Sequence, residues 1–136
     1  MMFRFGKVQY IAPALGEIYE VVGNPTDVHR PADLLKDGLP VERNFGDVYL
    51  LTNTVFLDLF GKQVAVPPGT LITVAKKSSS RGSAYRWIVH YIRNRKIINL
   101  TKSTNKIRGA KLQFVQGHDA NPYLTVEQLY DHLPAH

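Results

Sequence analysis

Apolar and polar residues alternate most cleanly between Tyr85 and Ile92. Tyr85, Trp87, Val89 and Tyr91 fall on one side, and Arg86, Ile88, His90 and Ile92 on the other. A period of two marks a strand, whose successive side chains point to opposite faces. Arg93-Asn94-Arg95-Lys96 then predicts a tight basic turn and Ile97 to Thr101 the return strand of a hairpin. Apolar and β-branched runs predict further strands at Ile18 to Val22, Asp47 to Asn53, Thr54 to Leu59, Gln63 to Val66, Thr70 to Val74 and Lys106 to Val115, the last bent at Gly109. Phe3 to Ile11 alternates imperfectly and is a candidate first strand. Phe60-Gly61-Lys62 reads as a hairpin turn in which glycine supplies positive φ.

Two segments carry a helical pattern. Pro31, Ala32 to Lys36 and the stop at Gly38 predict a short helix near 30–37. Thr125 with Gln128 three residues on has capping-box spacing, and Val126, Leu129, Tyr130 and Leu133 form one apolar stripe. A C-terminal helix near 125–133 follows. The expected fold is mostly β within α+β: seven or eight short antiparallel strands in a small barrel or curved sheet, with two short helices. A length of 136 residues predicts a single domain, 1–136. No apolar run of about 18 residues predicts a transmembrane helix. Met1 to Lys7 lacks the apolar stretch of a secretory signal, and the chain has no cysteine. The expected setting is therefore reducing and cytoplasmic, away from membranes. Disulfides, thiolate catalysis and zinc fingers are excluded by composition.

Charge changes the picture. The net charge is +6, distributed in three blocks. Residues before Leu59 sum to −3, Leu59 to His118 to +12, and Asp119 onward to −3. The middle sixty residues contain no carboxylate at all. Surface charges of mixed sign limit self-repulsion, so an uncompensated basic stretch points to a polyanionic partner. The plainer account is that the acidic flanks fold beside it and neutralise it.

The basic hairpin surface 76–111 is the candidate nucleic-acid-binding element. Its phosphate-contacting candidates are Arg86, Arg93, Arg95 and Lys96, followed by Lys76, Lys77, Arg81, Lys102, Lys106 and Arg108. Lys106 and Arg108, two apart, would share a strand face. Lys76 to Ser83 reads as a flexible polar loop. Cations that track phosphates and rings that stack on bases make a single-strand site. Trp87, Tyr85 and Tyr91 are stacking residues only if their face is open, since alternating aromatics on a strand more often pack inward. No predicted helix is basic, which favours single-stranded DNA or RNA over reading of a duplex groove.

Enzyme signatures are sparse. The chain carries no phosphate-binding loop, nucleophile elbow or His-Glu-x-x-His motif. His132 and His136 are separated by Pro134, and the carboxylates are scattered, so no metal site and no cofactor are expected. His118-Asp119 is an isolated pair. His90 on its basic strand would serve a metal-independent ribonuclease as general acid or base, given a carboxylate brought near by folding. The leading expectation is a non-enzymatic nucleic-acid-binding protein. The alternative is an interaction module, such as a viral (phage) or mobile-element inhibitor or assembly subunit, docking its basic face on an acidic protein surface. A homo-oligomer through edge strands Phe3 to Ile11 or Lys106 to Val115 is a further expectation.

Overall fold

The computed structural model describes residues 9–23, 34–77, 84–118 and 125–133, with backbone alone for 76, 77, 84 and 85. Eight of its strands form one antiparallel sheet: β1 (Ile18–Val21), β2 (Leu34–Lys36), β3 (Leu39–Pro40), β4 (Val48–Leu51), β7 (Leu71–Lys77), β8 (Ala84–Arg93), β9 (Lys96–Lys102) and β10 (Lys111–Gln116). Their spatial order is β3-β2-β1-β10-β4-β7-β8-β9. Strands β5 (Val55–Leu59) and β6 (Lys62–Val66) make a separate hairpin. The sheet is curved and open, not a closed barrel. The C-terminal helix α1 spans Val126–His132, with the expected Thr125–Gln128 capping box in place.

The cross-strand register sorts the side chains onto two faces. On one face Tyr49 pairs with Ile72, Ile72 with Val89, and Val74 with Trp87, while Tyr19 pairs with Leu112 across β1 and β10. Val55, Leu57, Leu59 and Val66 of the β5–β6 hairpin join this face in one hydrophobic core. Tyr49 is its aromatic hub, edge-on to Trp87 at 5.7 Å, Phe114 at 5.2 Å and Tyr19 at 6.4 Å. Edge-to-face packing suits the positive ring edge to the negative ring face.

Helix α1 docks on the opposite face through one hydroxyl. Tyr130 Oη accepts from the Leu71 N–H at 2.7 Å and donates to the His90 carbonyl. It therefore bridges a Leu71–His90 pair that the β7–β8 register places side by side. Burial pushes the Tyr130 phenol up to about 12, so it stays a protonated donor. Among the described residues no helix is long and apolar enough to cross a membrane.

The expected helix near 30–37 is corrected. Leu34–Lys36 and Leu39–Pro40 are strands, joined by Asp37 (φ 52°) and Gly38 (φ 79°). Positive φ at both central residues is the type I′ hairpin turn, which Asp-Gly favours strongly, and the turn outweighs the weak helical run before it. The residues from 30 to 33 lie outside the described set. The same geometry recurs at Phe60-Gly61 (φ 54° and 76°) and Asn94-Arg95 (φ 53° and 63°).

The edge-strand expectation is also corrected. β10 lies in the interior of the sheet between β1 and β4. Of Phe3 to Ile11, residues 3–8 lie outside the described set, and Ile11 forms only an isolated parallel bridge to Val41. The edges are β3 and β9. The long one, β9, carries Lys96 and Lys102 at its two ends, a common device against edge-to-edge pairing.

Candidate nucleic-acid interface

The tips of two hairpins meet at one end of the molecule. The β8–β9 tip presents Arg93, Asn94, Arg95 and Lys96, all exposed. The β5–β6 tip presents Phe60, 79% exposed, and Lys62. Between them runs a groove of about 510 Å³ lined by Leu59, Phe60, Lys62, Val64, Tyr91 and Arg93. The Arg93 guanidinium sits 5.7 Å from the centre of the Phe60 ring, within cation–π range.

This tip is electrostatically uncompensated. Arg93 and Lys96 are direct cross-strand partners, and like charges so placed repel. Among the described residues neither they, Arg95 nor Lys62 forms an ion pair with a carboxylate. Arg95 adds conformational strain, because a non-glycine residue in the left-handed region costs about 1–2 kcal/mol. Arg95→Gly would relieve that strain, offset by about 0.5–1 kcal/mol for the greater freedom of glycine in the unfolded chain. The expected net is a gain of up to about 1 kcal/mol, a rise in Tm of roughly 3–5 °C by calorimetry, together with weaker binding of any polyanion. A variant that is less stable than the parent would refute strain at Arg95.

The remaining predicted residues are not gathered at this tip. Arg86 and Arg93 lie seven residues apart on β8, about 23 Å, and on opposite faces. Lys102 pairs with Trp87 at the far end of β9. Lys106 and Arg108 do not share a strand face: Lys106 lies in a 3₁₀ turn, Thr104–Ile107, and Arg108 caps it. The reason is Gly109, whose φ of 88° separates that turn from the start of β10. The Arg108 stem packs against Gly23, 3.0 Å from where a Cβ would stand. Lys76 and Lys77 continue β7 instead of opening a loop, and Arg81 lies outside the described residues. The segment 76–111 is therefore not one surface but two basic ends.

The stacking assignments change as well. Trp87 is 1% exposed and held against Tyr49, so it cannot offer a face to a base. Tyr91 is half-buried and forms part of the groove wall. The side chain of Tyr85 lies outside the description, although its backbone pairs with Lys76. The exposed ring at the tip is Phe60, which the sequence reading passed over. Its signal was an aromatic at a turn position, where no core claims it. Lys62, beside it, belonged to the acid-free block without being singled out.

Of the two histidine candidates His90 is not free for acid–base work, whereas the His118 side chain stands 46% exposed. His90 is buried, and both ring nitrogens are engaged. Nδ1–H donates to Asn99 Oδ1 at 2.7 Å, which leaves Nε2 to accept from the Thr73 hydroxyl at 2.9 Å. It stitches β7, β8 and β9 together. His118 is held by the buried carboxylate of Asp47, through its backbone N–H at 2.8 Å and Nδ1 at 3.0 Å. Asp119, its sequence neighbour, lies outside the described residues. Among the described residues no group of three or more metal-ligating side chains clusters.

Burial pushes the His90 imidazole below its ordinary pKa of 6.5, outweighing the Asn99 hydrogen bond and the Glu127 carboxylate, which act upward. The unfolded chain then binds the proton more readily than the folded one, so the stability from neutral His90 is complete above about pH 6.5 and is lost as pH falls below it. The expected result is that His90→Gln is less stable than the parent at pH 8, and that the gap in Tm narrows as pH falls below 6.5. A constant gap across that range would refute a buried neutral imidazole.

Comparison with protein-family models, with curated proteins and with solved structures finds no match to this chain.

Proposed function

We propose that the protein binds single-stranded nucleic acid at the paired hairpin tips, with Arg93, Arg95, Lys96 and Lys62 contacting phosphates. The observation that carries this reading is the direct Arg93–Lys96 pairing beside Arg95 and Lys62, with no carboxylate ion-paired to them among the described residues. Such a cluster opposes folding unless something negative occupies it. A polyphosphate chain relieves the repulsion, and release of its condensed counterions drives binding. The exposed Phe60 ring supports a single strand over a duplex, because every unpaired base offers a face to stack on. Helix α1 has seven residues with Glu127 and Asp131 among them, a poor reader of a duplex groove.

Fluorescence anisotropy with labelled single-stranded DNA, single-stranded RNA and duplex DNA across a salt series tests the reading. Single strands should bind more tightly than duplex, with a log–log salt slope of about −2 to −3, as expected for three or four phosphates at about 0.7 each. Absence of binding at low salt would overturn it. A partner whose capture ignores salt would favour the other reading, docking on a protein surface.

A further inference from the structure

Strand β9 has β8 on one side and, among the described residues, no strand on the other. The turn and the register decide which of its backbone groups stand at that edge. Asn94 and Arg95 form a two-residue turn with positive φ at both, and the Arg93–Lys96 pair closes it. The closing pair of such a turn is hydrogen-bonded, and bonded pairs alternate from there. Lys96, Ile98, Leu100 and Lys102 therefore bond inward to β8, while Ile97, Asn99 and Thr101 direct their N–H and C=O groups outward. The side-chain bond between His90 and Asn99 agrees with this phase, since facing side chains come closest at the pairs that lack backbone bonds. Among the described residues no backbone group bonds to Ile97, Asn99 or Thr101 from the open side.

The side chains along the edge narrow its occupant. On the core face Ile98 and Leu100 are half-buried, with Leu100 packed against the core, and Lys102 follows them. Lys102 has no ion-paired carboxylate among the described residues. A second copy fits poorly. Pairing the whole of β9 antiparallel about Asn99 sets each Lys96 against a Lys102, and like charges directly opposite repel. A slipped register separates them only by shortening the ladder. A strand that sets apolar side chains beside Ile98 and Leu100 and a carboxylate beside Lys102 satisfies all three.

We propose that β9 takes an extended peptide segment of a partner protein as an added antiparallel strand, of the form acid-x-apolar-x-apolar, with the acid opposite Lys102 and the apolar residues opposite Leu100 and Ile98. Backbone bonds to Ile97, Asn99 and Thr101 supply affinity, and the alternate side chains supply selection. This surface is the strand edge and not the hairpin tips, so it stands independently of nucleic-acid binding.

The test titrates the capped peptide Glu-Thr-Val-Thr-Val-Thr into the isotope-labelled full chain and follows backbone amides by NMR. The amides of Ile97, Asn99 and Thr101 should shift and exchange more slowly. N-methylation of the peptide threonine opposite Asn99 should abolish binding, because its N–H faces the edge. N-methylation of the valine opposite Leu100 should be tolerated, because its N–H points away. Lys102→Glu should weaken binding roughly two- to fivefold, the range for a partly exposed charge pair, and should favour a peptide with Lys in place of Glu. Thr101→Pro removes one outward donor without touching the bonds to β8, so the protein should fold and lose the peptide. No shift at millimolar peptide, shifts away from β9, or equal effects of the two methylations would each overturn the proposal. Self-association that Thr101→Pro abolishes would also overturn it, by placing a second copy at this edge.

Discussion

Replacing Arg93, Arg95 and Lys96 together with alanine should lower affinity for single-stranded DNA several hundredfold at about 50 mM salt. For a single strand each phosphate contact contributes about 0.7 to the log–log salt slope, so at that concentration one contact is worth roughly eightfold. Three contacts compound to several hundredfold. The same arithmetic gives only about thirtyfold at about 200 mM, and the slope itself should fall by about 2. The fold should survive: all three side chains are exposed, and the change removes the Arg93–Lys96 repulsion and the strained arginine. The matched control is Lys102, Lys106 and Arg108 to alanine. It removes the same formal charge from the opposite end of the β8–β9 ladder, so it tests place against total charge. Equal losses from the two triple variants would mean a diffuse field and no tip site. A loss confined to the first would locate the contacts.

The sequence made the sheet legible because alternation reports on a strand's two faces wherever one is buried. The Tyr85 to Ile92 strand, its basic turn and its return strand all stand in the structure at nearly the expected bounds. The capping box at Thr125 did as well, because it is a local interaction between residues three apart. What failed was of two kinds. Near 30–37 a weak helical run competed with an Asp-Gly turn, and the turn prevailed because positive φ at two successive residues fixes a hairpin regardless of the flanking composition. At Lys106 and Arg108 an apparent strand face was broken by one glycine whose φ no periodicity reveals.

The candidate site was legible in its charge but not in its geometry. Arg93, Arg95 and Lys96 were visible because they are consecutive in a turn. Phe60 and Lys62 lie some thirty residues earlier on another hairpin, and only the packing of β5–β6 onto the sheet brings them alongside. Their placement depends on a tertiary contact for which a single sequence carries no signal. The aromatic pattern on β8 is an alternation in the structure too, and the face it presents is the one that the hairpin covers.

Trp87→Ala should be the most destabilising single substitution considered, at about 3–5 kcal/mol, the usual range for deleting a large buried aromatic. Whole-domain stability is about 5–15 kcal/mol, so the variant should lose from about a fifth to nearly all of it. Trp87→Phe should behave quite differently. Among the described residues the buried indole N–H of Trp87 and hydroxyl of Tyr49 have no hydrogen-bond partner, and an unsatisfied buried polar group costs about 1–3 kcal/mol. Phenylalanine gives up part of the packed area but also removes the orphaned donor, so the two terms nearly cancel and the variant should unfold close to the parent. Tyr49→Phe removes its orphan with little loss of volume and should raise stability; its phenol is already pushed well above the ordinary range by burial and can contribute no charge. Chemical denaturation of the three variants checks the order. Tyr49→Phe as stable as or more stable than the parent, with Trp87→Phe near it and Trp87→Ala far below, fits a dry aromatic core. The same core gives an optical signature. Parent Trp87 emission should be blue-shifted, shielded from acrylamide, and unchanged when single-stranded DNA saturates the protein. Direct quenching by the bound strand would put Trp87 at the interface and reverse the assignment of Phe60 as the stacking ring.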